Sequence, residues 1–270
     1  MDLDAYFARV GFNGARAPTF DTLRDLHLAH AQTISFENLN PLLGWRVPID
    51  LPSLEEKLVR SGRGGYCFEQ NGLLAAALRE LGFQVTGLAA RVLWNAAEDA
   101  IRPRTHMVLK IDLGGESYIA DVGFGGLTLT TPLRLVPDIE QPTAHEPFRL
   151  TKIDDDLKLQ ARVGEAWKTL YRFDLQPQHA PDYELSNHYT STYPTSHFRS
   201  MLIAARPVPG ARYALSNNQL TIHHMDGPSE RRLLGSVGEV RQVLESMFGL
   251  TLPAAAELDP ALARACGFQA

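Results

Sequence analysis

Apolar residues in the first eighty positions recur at intervals of three and four, the spacing that lines one face of a helix. Phe20, Leu23 and Leu26 share such a face, and Thr19 stands ahead of them as an N-cap. Ser53 and Glu56 form a capping box that predicts a short helix stopping at Ser61-Gly62. A third helix is predicted over 67–81. It is rich in Leu and Ala, and Gly82 stands where a left-handed C-terminal cap belongs.

Beyond Gly82 the period becomes two. Strands are predicted over 85–94, 105–113 and 117–122, then over 148–153, 157–163 and 166–173, with turns at Asp154-Asp155-Asp156 and Gly164. This stretch predicts an antiparallel barrel or meander. After Pro181 a helix is expected over 183–189, two strands flank Asn217-Asn218, and a further helix is capped by Ser236 with Glu239 and ended by Gly249. The order of helices, then strands, then mixed elements describes an α+β protein of three packed parts.

Composition narrows the function classes. A net charge of −5 over 270 residues argues against nucleic acid as a partner. No apolar run approaches the ~20 residues of a membrane-spanning helix. The N-terminus carries Asp2 and Asp4 where a secretory signal wants base, so a cytoplasmic protein with no membrane partner is expected. Cys67 and Cys266 are far apart and predict two reduced thiols rather than a disulfide. Neither lies in Cys-x-x-Cys and the histidines lack ligand spacing, so no metal is expected.

The densest motif is Arg63-Gly64-Gly65-Tyr66-Cys67-Phe68-Glu69-Gln70-Asn71. A Gly-Gly turn delivers the cysteine to the first turn of a helix, where unpaired N–H groups and the helix dipole favour a thiolate. Those N–H groups could also hold the oxyanion of an acyl intermediate. A base comes from the hairpin around Gly114-Gly115. If Leu113 faces Glu116, then Val108 faces Asp121 and His106 faces Gly123. His106 and Asp121 become diagonal neighbours on one face, about 7–8 Å apart at the backbone, within reach of a hydrogen bond. Cys67, His106 and Asp121 would then be nucleophile, base and orienter. Gly123-Phe124-Gly125-Gly126 follows directly; its glycines would let the backbone approach a ligand, including phosphates, and Phe124 would set an aromatic face beside the thiol.

These motifs, with Thr105-His106-Met107 and Ser35-Phe36-Glu37-Asn38-Leu39, resemble those of the arylamine N-acetyltransferases. The resemblance implies a helical bundle over 1–83, a β-barrel over 84–190 and an α/β lid over 191–270. It implies a Cys67-His106-Asp121 triad and ping-pong acetyl transfer from acetyl-CoA, as co-substrate, to an arylamine, hydrazine or hydroxylamine. By the same resemblance Phe36, Val92, Phe124 and Phe198 would line the acceptor pocket, while Trp94, Thr105, Phe124 and Gly125 would lie near CoA. Rival readings are a macrolactam-closing amide synthase, a Cys-His-Asp hydrolase or transglutaminase-like enzyme, and a binding protein that kept the fold.

Overall fold

The computed structural model describes residues 1–269; Ala270, the end of the expected third part, lies outside them. The helical part consists of α1 (Leu3–Val10), α2 (Phe20–Thr33), α3 (Leu39–Leu43), α4 (Leu51–Leu54) and α5 (Cys67–Glu80). Thr19 caps α2 as expected, its hydroxyl accepting the Thr22 N–H at 3.2 Å. The expected cap at Ser53 moves to Asp50, whose carboxylate accepts both the N–H and the hydroxyl of Ser53. An ionised acceptor with Pro behind it, where no N–H is needed, outcompetes the serine. The helix then widens into a π-helical turn, Glu55–Arg60, before ending at Ser61. At the end of α5, Gly82 takes a positive φ and its N–H bonds Arg79, while that of Phe83 bonds Leu78, satisfying two final carbonyls.

One segment departs from the helical expectation. Phe36–Glu37 is a strand, β1, paired with Ala204 and Ala205 at the far end of the chain. Two residues are too few for a period to show, so only the pairing partner makes it a strand.

The barrel is an eight-stranded antiparallel sheet of β2 (Gln84–Val92), β3 (Arg104–Leu113), β4 (Glu116–Ala120), β5 (Leu133–Arg134), β6 (Glu140–Gln141), β7 (Phe148–Ile153), β8 (Asp156–Val163) and β9 (Ala166–Phe173). The spatial order is β5-β4-β3-β2-β9-β8-β7-β6. Leu113 pairs with Glu116 and Leu109 with Ala120, the expected register. Both turn glycines have positive φ, which gives a two-residue turn the twist its strands require. Alternation then divides β3: Val108 points into the barrel core with Leu88, Ile119 and Leu150. Leu109 and Ile111 point the other way, into the core of Tyr6, Leu26, Leu58 and Phe68. His106 has the parity of Val108, and Asp121 that of Ile119.

Closure of the sheet is unusual. The Gln141 side chain bridges its two edges, accepting the Arg134 N–H at 2.8 Å and donating to the Arg134 carbonyl at 2.9 Å. A side-chain amide thus takes the place of a strand pair.

The remaining elements are α6 (Ala180–Thr192), a 3-10 turn (His197–Arg199), β10 (Ile203–Val208), β11 (Ala211–Ser216), β12 (Gln219–His224), β13 (Glu230–Leu233), α7 (Val237–Ser246) and α8 (Ala255–Cys266). The second sheet runs β1-β10-β11-β12-β13. Ser236 caps α7 as expected, but the helix ends at Ser246, three residues ahead of Gly249. The unanticipated α8 contains Pro260, which masks its pattern. Its Leu258 and Leu262 share a core with Leu215, Val240 and Phe248, and with Leu39 and Leu42 of α3. Among the described residues no helix is long and apolar enough to cross a membrane.

The Gln141 bridge leads to a measurable consequence. Gln141→Ala removes both part-buried hydrogen bonds to Arg134, whose carbonyl keeps the Val136 N–H, and should cost about 1 kcal/mol, the scale of a typical lost hydrogen bond. Urea unfolding should show a lower midpoint with an unchanged slope; an unchanged midpoint would mean the barrel closes without this amide.

Candidate active site

Cys67 is the first residue of α5 and is 5% exposed. The motif around it is held by buried polar contacts. Arg63 donates twice to Glu37, at 3.1 and 2.7 Å, and Lys57 bonds Glu69 at 2.6 Å. The other Glu69 oxygen accepts the Tyr66 N–H, half of a capping box. Burial raises the Glu69 pKa. At Glu37 burial is opposed and outweighed by Arg63 and Lys57, so its pKa falls. Gln70 donates to the carbonyls of Ile34, Ser35 and Gly65, tying the loop before the cysteine to the end of α2.

His106 and Asp121 meet as their strand parity requires: His106 Nε2 lies 2.7 Å from Asp121 Oδ2, with both side chains buried. Asp121 Oδ1 accepts from Asn71 Nδ2 and from the Gly123 N–H, each at 2.9 Å. Burial opposes the carboxylate charge, but His106 and these donors outweigh it and lower the Asp121 pKa. At His106 burial opposes the imidazolium and is outweighed by Asp121, with Cys67 adding in the same sense, so the pKa rises to about 10. The Cys67 thiol lies 3.6 Å from the carbonyl oxygen of Thr105, the neighbour of His106.

Three residues outside the expected set complete this arrangement. Asn71 stands one turn beyond Cys67; besides Asp121 it donates to the Met107 carbonyl at 2.8 Å and accepts the Val122 N–H at 2.9 Å. Its i+4 spacing from the cysteine was a usable signal. His27 accepts the Asp121 N–H at 3.2 Å, and burial pushes its pKa down to about 3, so the ring is neutral. A side chain that recognises backbone leaves no trace in a motif. Tyr171 packs on His106 with ring centroids 4.9 Å apart, and burial with the Asp121 charge raises its phenol pKa well above the ordinary value.

Of the expected pocket residues, Phe124 meets His106 edge-on at 5.4 Å. Phe36 lies against Gly125, and its ring is 6.1 Å from that of Phe198. Val92 pairs across the sheet with Tyr171, which packs on His106. Trp94, 37% exposed, sits past the end of β2 with its backbone N–H on the Leu170 carbonyl. In the glycine loop Gly123 faces the nucleophile's helix. A Cβ there would lie 2.6 Å from Cys67 Cα, so the backbone also packs closely on α5. Gly126 faces open space. Among the described residues no cluster of His, Cys, Asp or Glu could hold a metal.

Comparison with known proteins finds relatives over nearly the whole chain. A family model described as N-acetyltransferase matches residues 19–257. The Escherichia coli arylamine N-acetyltransferase is 46% identical over 92% of this chain and 88% of its own. The Salmonella typhimurium arylamine N-acetyltransferase / N-hydroxyarylamine O-acetyltransferase is 43% identical over 92% and 88%. The solved structure of Mycobacterium marinum arylamine N-acetyltransferase in complex with CoA superposes with a TM-score of 0.95 at 41% identity, covering 98% of this chain and 100% of that one. With a matching family model, this identity and near-complete coverage, the chain belongs to the arylamine N-acetyltransferase family.

Proposed function

We propose that this enzyme transfers acetyl from acetyl-CoA to arylamines, arylhydrazines and arylhydroxylamines through an acetyl-Cys67 intermediate, with His106 and Asp121 completing a triad. The observation that carries this reading is the buried His106–Asp121 bond of 2.7 Å beside a cysteine at a helix start. With Nε2 committed to Asp121, Nδ1 is the ring nitrogen left for the thiol.

In the first half-reaction the Cys67 thiolate attacks the acetyl carbonyl, the bond to the CoA sulfur breaks, and the imidazolium protonates the departing thiolate. The unpaired N–H groups at the start of α5 stabilise the oxyanion. In the second, the amine attacks the acetyl-cysteine, Cys67 leaves as thiolate, and His106 takes the amine proton. Arylamines are mostly unprotonated at neutral pH, which suits them to that attack. Phe36, Val92, Phe124 and Phe198 form the acceptor side, and Trp94, Thr105, Phe124 and Gly125 the CoA side. Support for the first group is the aromatic contact of Phe36 with Phe198 and of Phe124 with His106. Hydroxylamine acceptors are favoured by the double activity named for the Salmonella relative.

The reading divides the chain at about residues 83 and 190. Three separate cores support it, although β1 and α3 pack with the third part despite their early place in the chain. Two free cysteines, with Cys266 half-buried, fit a reducing cytoplasm.

Purified protein given acetyl-CoA and an arylamine should release CoA thiol in an amine-dependent way, and without amine one acetyl group should appear on Cys67 by intact mass. Cys67→Ala and His106→Ala should each cut release by roughly 10²-fold or more; acetylation surviving Cys67→Ala would remove the covalent mechanism. Asp121→Asn should lower turnover on a similar scale while secondary structure is kept, because it changes the imidazole tautomer. A wild-type rate would refute the role given to that carboxylate. Stability should also report His106. Its native pKa of about 10 exceeds the ordinary 6.5, so the native state binds the extra proton and stability falls as pH rises between those values. Urea unfolding of wild type and His106→Gln should show that decline weakened in the variant; parallel profiles would contradict it.

A further inference from the structure

Asn38 is wholly buried where β1 turns into α3. Its amide reaches a segment 160 to 165 positions away along the chain. Nδ2 donates to the Phe198 carbonyl at 2.8 Å and to the Met201 carbonyl at 2.7 Å, and Oδ1 accepts the Ile203 N–H at 2.8 Å. The β1–β10 ladder ends at Glu37 with Ala204. Asn38 would next face Ile203, but its backbone has left the extended conformation, and the side chain takes over the pairing.

The segment so held carries Phe198. That residue lies on a single 3-10 turn whose neighbours His197, Arg199 and Ser200 are exposed. Yet the ring stacks on Tyr66 with centroids 5.5 Å apart and 27° between planes, and lies 6.1 Å from Phe36. Tyr66 immediately precedes the nucleophile and is itself pinned: its hydroxyl donates to Asn187 Oδ1, and Asn187 Nδ2 donates to the Val47 carbonyl at 2.8 Å. Tyr66 is thus held from behind, and Phe198 is the wall whose own carbonyl Asn38 holds, while Ser196 and Leu202 on either side are bonded to Thr190 and Asn217.

We propose that Asn38 is a specificity-determining positioning residue: by holding the Phe198 and Met201 carbonyls it sets the width of the aromatic slot that receives the planar ring of the acceptor amine. The inference rests on Phe36 and Phe198 lining the acceptor side. Asn38 touches neither substrate nor the reacting atoms; it acts through Phe198. A carboxylate at position 38 has no donors and would set its charge against two carbonyl oxygens, and a serine is too short to bridge both.

The experiment compares wild type, Asn38→Asp, Asn38→Ser and Phe198→Ala. Three acceptors are used at saturating acetyl-CoA: a single-ring arylamine, a fused-ring arylamine, and hydrazine, which has no ring. Acetylation of Cys67 without acceptor is followed separately by CoA release. Both Asn38 variants should raise KM for the ringed amines about tenfold and change the ratio between them, with hydrazine turnover and Cys67 acetylation within about twofold of wild type. Equal losses on every acceptor and on Cys67 acetylation, failure of both variants to fold, or wild-type KM values would overturn the proposal. If Asn38→Asp alone does not fold, Asn38→Ser decides. Should Phe198→Ala leave the ringed KM values untouched, the acceptor-side reading itself falls. Should Phe198→Ala raise them while the Asn38 variants do not, only the role of Asn38 falls.

Discussion

A carboxylate taken fully out of water must be compensated by charge and hydrogen bonds, at a penalty otherwise of several kcal/mol. Asp121 is 0% exposed, and its partners come from three places: His106 on β3, Asn71 on α5, and the Gly123 N–H of its own loop. Neither the barrel nor the helical part can satisfy it alone. Docking of α5 against the strands and burial of Asp121 are therefore one event. Asn71 reinforces that coupling by bonding the backbone at Met107 and Val122 as well. Because Cys67 is one turn away on the same helix, whatever holds the carboxylate also places the thiol.

The same carboxylate separates two buried histidines. His106 lies against its charge, and its pKa rises to about 10. His27 meets only the backbone N–H of that residue, and burial takes its pKa down to about 3. Equal burial thus yields opposite charge states, decided by whether an oxygen or an N–H faces the ring. A neutral His27 adds no positive charge to compete for Asp121, which leaves that carboxylate for the imidazole proposed as the base.

Elements whose determinants are local are legible in the sequence. The Gly114-Gly115 turn specified the β3–β4 register, and strand parity then brought His106 and Asp121 to one face. Capping by Thr19 and Ser236 and the start of α5 at Cys67 were equally local. Ser53 failed as a cap because Asp50, three residues earlier, offered a charged acceptor. α8 was hidden by Pro260, whose helix-breaking signal is overridden where Leu258 and Leu262 fill a core.

What the sequence determined by itself was the caps of α2 and α7, the start of α5 and the hairpin register that brings His106 beside Asp121, since each depends on a few neighbouring positions. Tertiary structure alone decided that Phe36–Glu37 is a strand, that Gln141 closes the barrel, and that His27 and Tyr171 adjoin the His106–Asp121 pair. Each of these depends on a partner remote in the chain. A hydrogen bond to distant backbone demands no particular residue type at its other end, so no local pattern records it.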